Sequence, residues 1–332
     1  MTGSLSSTAK ERMNILVFGK DGQLGKAFQE ELSKLTTALL VKPTIQYVGR
    51  SECDLADREL LSQLLNQVEP RLIINASAYT AVDKAETESN LAFAINVRAP
   101  EVMAQYAADH GATFLHYSTD YVFDGEKYGY YLEDDIRNPL GIYGKSKAAG
   151  EDVIARIFAS NNGSGQYAIF RTSWVYGDGG NLIQTILRLA KEREELKIIN
   201  DQFGVPTSAN WLAQVSLNLV LDEHPHLRKF TSGIYHAVPA GETTWYGLAC
   251  LAVQVALDAG VTLKAHPSTI KPILAVEYPL PAPRPINSRM STDKLHLVFA
   301  GLGDMSKLEQ LNQPWDKAVQ SYVASLAKDG LI

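Results

Sequence analysis

Short apolar runs alternate with helical spacing through the first half of the chain. NILVF at 14–18 is apolar after its first residue, the pattern of a strand buried on both faces. A helix is predicted over 22–34 and a strand over 44–48. A second helix follows over 57–68, with Leu60, Leu61, Leu64 and Leu65 on its inner face. Residues 72–75 read as a third strand. Residues 85–110 read as a helix in two pieces, broken near Pro100. A fourth strand at 113–118 precedes a polar, acidic loop at 132–140 that Asn138-Pro139 punctuates. The next helix runs from about Tyr143 to 160, then a surface turn at 161–165 and a fifth strand at 166–171. Strands alternating with helices imply parallel pairing, so an α/β doubly wound sheet is predicted.

Beyond 171 the alternation loosens. Helices are predicted over 182–194, 211–221 and 244–259, and short strands over 196–199 and 233–238. Pro279, Pro281, Pro283 and Pro285 mark an extended loop. The resulting division is a polar lead-in (1–12), a Rossmann-like dinucleotide-binding domain (13–175) and a smaller mixed α/β substrate domain (176–332). The chain is expected to cross between the two domains.

Composition narrows the class. The 332 residues are 45% hydrophobic and 20% charged, with a net charge of −6, which argues against a nucleic-acid scaffold. The two cysteines, Cys53 and Cys250, have no metal-ligand spacing and fit reduced thiols in a cytoplasmic protein. The longest nearly apolar run, 248–257, is too short to span a bilayer and reads as a buried helix, so no membrane partner is expected.

The first candidate chemistry is the turn Gly19-Lys-Asp-Gly22-Gln-Leu-Gly25, directly after the first strand. Glycines there permit a tight turn and close approach of backbone to a pyrophosphate, which the following helix N-terminus attracts. At the end of the second strand Arg50 stands where a carboxylate would favour NAD. It is either a partner for a 2′-phosphate or an exposed turn residue, so NADPH and NADH both remain open. Asp54 and Leu55 follow at the adenine end. Ala76, Ser77 and Ala78 offer small side chains across which a cofactor could lie.

The second is Tyr143 with Lys147, one helical turn apart on one face. A cation beside a phenol favours the phenolate, and the pair can move a proton. Thr119, at the end of the fourth strand, is expected beside them because ligands gather at the carboxyl ends of parallel strands. Tyr143 would protonate a carbonyl oxygen, Lys147 would steady the phenolate and hold the nicotinamide ribose, and Thr119 would hydrogen-bond the reacting oxygen.

NILVFGKDGQLG, NASAYTAVDK, YSTDYVFDG, YGKSKAAGE, RTSWVYG, DQFGVPT and PRPINS together resemble the extended short-chain dehydrogenases/reductases, and within them the dTDP-4-dehydrorhamnose reductase family, over nearly the whole chain from Met13. The resemblance implies reduction of dTDP-4-dehydro-L-rhamnose at C4. It implies that Gly22, Gln23 and Leu24 touch the pyrophosphate and that Tyr117 joins residues 76–78 along the cofactor. Thr119, Asp120 and Trp174 would contact the sugar, and Arg284 or Arg289 the diphosphate. Some members form a magnesium-bridged dimer through carboxylates whose matching positions here are Ala27 and Asn210. The expectation is therefore no metal, and any homodimer would form without that bridge.

Other readings remain. A sugar-nucleotide 4,6-dehydratase needs an Asp-Glu pair after the threonine, and this chain has Asp120-Tyr121. A reductase or epimerase for another nucleotide sugar shares the same triad. A non-catalytic regulatory subunit of the methionine adenosyltransferase type also resembles this family.

Overall fold

A computed structural model describes residues 13–37, 42–161, 163–222, 224 and 226–332; the expected lead-in lies outside them. Six parallel strands form one sheet: β1 (Asn14–Phe18), β2 (Thr44–Val48), β3 (Leu72–Asn75), β4 (Thr113–Thr119), β5 (Gln166–Thr172) and β6 (Gly233–His236), in the order β6-β5-β4-β3-β1-β2. All residues of β3 and β4 are buried, as in a parallel sheet covered on both faces, and they include the polar Asn75, Thr113, His116, Ser118 and Thr119. Helices cover both faces. On one lie α1 (Gln23–Thr37) and the later α6 (Ala209–Val220); on the other lie α2 (Arg58–Val68), α3 (Ala99–His110) and α4 (Ile142–Ser160). A separate apolar cluster joins α5 (Leu182–Glu192), α7 (Trp245–Asp258) and α10 (Trp315–Lys328), outside the sheet.

Several expectations shift. In α2 only Leu61 and Leu65 are fully buried and Leu60 is 38% exposed, because the sheet accepts a narrower stripe than four leucines. The break in 85–110 is a π turn, Ala94–Arg98, and Pro100 sits in the first turn of α3, where its missing N–H leaves no bond unmade. The run at 248–257 is part of α7, whose Leu248, Ala249, Ala252, Val253 and Ala256 face the outer cluster. The C-terminal helices α8 (Asp293–Gly301), α9 (Met305–Leu311) and α10 were not predicted. Elements beyond residue 175 return to the sheet: α6 packs on its α1 face, joined there by Leu295 and Phe299 of α8 and Leu311 of α9, and β6 pairs with β5.

The strand order reverses between β1 and β3, the crevice where doubly wound sheets bind ligands. Gly19 stands there with φ +85°, and its N–H donates to Val48 O at 2.8 Å. Gly25, in the first turn of α1, lies so close that a Cβ on it would fall 1.9 Å from Gly19 O. The turn closes only because both residues lack side chains. Gly25→Ala must open it and is expected to destabilise the fold by about 1–3 kcal/mol in urea unfolding.

Candidate active site

Every piece of the site hangs from a strand end or the helix start beyond it. The turn after β1 delivers Gly22, Gln23 and Leu24 at the start of α1, whose first N–H groups lack intrahelical acceptors and whose first turn carries no acidic residue. Gln23 Oε1 is buried without a hydrogen-bond partner, while its Nε2 donates to Gly180 O at 3.2 Å. Ala76, Ser77 and Ala78 are partly exposed beside Gly19. This glycine cradle, with an unpartnered polar group beside it, fits a dinucleotide pyrophosphate.

At the end of β2, Arg50 is exposed, and Lys20 forms an ion pair with Glu52. Glu52 also accepts from Gly49 N at 2.9 Å, so a carboxylate stands near the expected adenosine end two residues beyond Arg50. Asp54 caps its own turn through Ala56 N at 3.0 Å, with Leu55 partly exposed beside it.

Thr119 ends β4, and α4 places Tyr143 and Lys147 opposite it. The close approach of α4 depends on Gly144, where a Cβ would fall 2.1 Å from Tyr121 O. Tyr143 is partly exposed, lies within hydrogen-bonding reach of Thr119, and meets the Tyr121 ring edge-on at 5.5 Å. Burial pushes its hydroxyl up to about 12, against the Thr119 hydrogen bond, so the side chain is held protonated. The expected lowering by Lys147 is not the dominant influence here.

Lys147 is 1% exposed and donates to Tyr117 O. Burial moves it down to about 8, opposed by Glu151 one turn further along the helix. Tyr117 differs from expectation. Its hydroxyl donates to Ser216 Oγ at 2.7 Å in the core and its ring stacks near Phe170, so its carbonyl is what meets the site.

Asp120 accepts from Thr119 Oγ1 at 2.8 Å, while its other oxygen is buried without a hydrogen-bond partner. Trp174, just past β5, has φ +49°, a strained value for an aromatic residue, and stacks on Trp245 with centroids 3.5 Å apart. Gly204 leaves room for its ring. Arg284, the candidate for the diphosphate, is paired with a carboxylate here. Its two terminal nitrogens bind Asp83 at 2.9 and 2.8 Å. Arg289 lies against Asn287, with the Phe203 ring 5.2 Å away. Ala27 is buried, and Asn210 donates to Glu30 at 2.7 Å.

Sequence reasoning did not single out Tyr121, Asp83, Trp245, Glu151 or Arg171. Glu151 was visible eight residues after Tyr143, within YGKSKAAGE. Asp83, Tyr121 and Arg171 likewise lie within NASAYTAVDK, YSTDYVFDG and RTSWVYG, while Trp245 meets the site only through tertiary packing.

Burial raises the Asp120 carboxyl to about 6, above its unfolded value of about 4. A group raised in this way contributes stability below its unfolded pKa, and that contribution is lost as pH climbs through 6. Asp120→Asn should remove the loss, on the order of 2–3 kcal/mol between pH 4 and 7, as read from urea unfolding at both pH values.

The family model described as the RmlD substrate binding domain matches residues 13–327. The dTDP-4-dehydrorhamnose reductase of Escherichia coli K12 is 43% identical over 291 residues, covering 87% of this chain and 92% of that one. A solved dTDP-4-dehydrorhamnose reductase from Clostridium acetobutylicum superposes with a TM-score of 0.79 at 30% identity, covering 95% of this chain and 99% of that one. One from Bacillus anthracis, in complex with NADP, has a TM-score of 0.77 at 29% identity, covering 94% and 98%. With this match over almost the whole described chain, the chain belongs to the dTDP-4-dehydrorhamnose reductase family.

Proposed function

We propose that the chain reduces the C4 ketone of dTDP-4-dehydro-L-rhamnose to the alcohol of dTDP-L-rhamnose, using NADPH or NADH. The observation that carries this reading is the meeting of Thr119, Tyr143 and Lys147 at the strand ends beside the glycine turn. A reduced nicotinamide bound there would supply the hydride. Gly19, Gly22, Gln23, Leu24 and Gly25 would hold its pyrophosphate, and residues 76–78 would line its path. Arg50 and Lys20 would serve the adenosine end, and Asp54 and Leu55 the adenine.

Tyr143 is protonated at neutral pH and reachable from outside, as a proton donor must be. It gives its proton to the C4 oxygen as the carbon is reduced, and Lys147 steadies the phenolate left behind. Thr119 hydrogen-bonds the same oxygen. Trp174 offers a flat apolar face and an N–H to the sugar, with Asp120 beside Thr119. For Arg284 to reach the diphosphate, it would have to exchange Asp83 for it. No described helix is long and apolar enough to cross a membrane.

The decisive assay is NADPH consumption with the ketosugar present and absent. Tyr143→Phe should lower turnover by roughly 10²–10⁴-fold while cofactor binding, followed by fluorescence titration, stays nearly unchanged. Full activity in that variant would remove Tyr143 as the acid, and cofactor binding without any turnover in the parent would favour a regulatory subunit. Arg50→Ala should weaken NADPH more than NADH, by about 1–3 kcal/mol, through loss of a charge-assisted bond. Equal losses would assign Arg50 to the surface.

A further inference from the structure

Tyr143, Lys147 and Glu151 follow one another at four-residue intervals along one face of α4. The first two belong to the proposed chemistry. The third is fully buried and meets no solvent. Arg171 of β5 grips it with two parallel bonds, Nε to Oε1 at 2.9 Å and Nη2 to Oε2 at 2.7 Å. Arg137, from the acidic loop, adds Nη1 to Oε2 at 3.1 Å and donates to Ala148 O at 2.9 Å.

Arg171 is itself fixed. Its Nη1 donates to Glu133 O at 3.0 Å, and its guanidinium lies 5.1 Å from the centre of the Phe123 ring. The next residue along β5, Thr172, pairs in register with Thr119. A planar, two-bond grip between a strand and a helix sets how far the helix is rotated and how high it stands. Here that helix carries the proton donor, and that strand is registered to the threonine.

We propose that Glu151 is a positioning residue for the Tyr143–Lys147 pair, holding α4 in phase with the sheet and placing a fixed negative charge one turn below Lys147. The inference rests on the reductase reading of those two side chains.

The charges around Lys147 give the idea a sign. On α4 they are Glu151 and the Tyr143 hydroxyl, with Asp120 near Tyr143 beyond the end of β4. β4 presents the Tyr117 carbonyl and His116, whose burial, together with Lys147, keeps it neutral. β5 presents Arg171, with His236 of β6 beside it, also held neutral by burial. Arg137 and Glu133 come from the acidic loop, and Asp152 pairs with Arg137. Glu151 is the carboxylate that pulls Lys147 back towards the cation. Replacing it by glutamine removes that pull and leaves burial, which favours the neutral form, unopposed.

The test is Glu151→Gln in the full chain, with lysine side-chain nitrogens labelled and the Lys147 signal titrated by NMR. In parallel, kcat for NADPH-dependent reduction is measured from pH 6 to 10. The Lys147 midpoint should fall by about one pH unit or more, and the alkaline limb of kcat should fall with it. At pH 6 the variant should approach the parent rate. A rate loss equal at every pH, with the lysine midpoint unmoved, would overturn the proposal and leave Glu151 a packing residue. If Glu151→Gln does not fold, Arg137→Ala serves, because it leaves Glu151 less neutralised and must raise the Lys147 midpoint. No movement, or a fall, would overturn the proposal equally. The lysine titration needs no turnover. A chain inert towards the ketosugar that still shows these shifts would refute the reductase reading alone.

Discussion

The helix that presents the proposed donor Tyr143 and its Lys147 is restrained from turning by the buried pair between Arg171 and Glu151. Their side chains are 1% and 0% exposed, so neither charge can be satisfied by water. Taking such charges out of solvent is costly unless geometry and further hydrogen bonds compensate. Both conditions are met: the contact is bidentate, and Arg137 and the Glu133 carbonyl take up the remaining capacity. The desolvation that makes the pair costly also makes it stiff, because any rotation of α4 would strand a charge. The glycine at 144 completes the arrangement by letting the helix lie against the Tyr121 carbonyl.

The same dryness sets the resting protonation of the site. Burial is the largest influence on Tyr143, Lys147 and Asp120, and in each case it disfavours the charged form. Tyrosine is thereby held as an acid, and the lysine is brought close to its own titration. A phenol kept protonated by its surroundings is a competent donor. In the proposed reaction Lys147 would matter most after the proton has left, when a phenolate must be tolerated in a dry place.

Much of this was legible because it is local. The glycine turn, each strand end and the Tyr-Lys spacing are each set within a few consecutive residues, and the first strands begin and end within a residue or two of where their apolar runs do. What was not legible is what chain folding brings from afar. Asp83 occupies Arg284 across 201 positions, and Trp245 stacks on Trp174 from another helix. The hydroxyl of Tyr117 turns to Ser216 because that strand face belongs to the core. No helix was predicted after residue 290, although Leu295, Val298 and Phe299 in α8 and Val319, Tyr322, Val323 and Leu326 in α10 follow helical spacing. Leu60 marks the opposite error, an apolar residue on a helix flank that the sheet does not reach.

The return of residues 233–236 to the sheet bears on how this protein can be divided. β6 covers the whole inner portion of β5, from Ala168 to Arg171. A fragment ending near residue 175 would leave those backbone groups bare along an apolar strand, a template for pairing with another fragment. It would also lack α6, and with it the cover over Phe28 and Tyr117. The nucleotide-binding half is therefore not a detachable module. Domain shuffling or truncation at the apparent boundary would yield a self-adhesive edge in place of a smaller soluble unit.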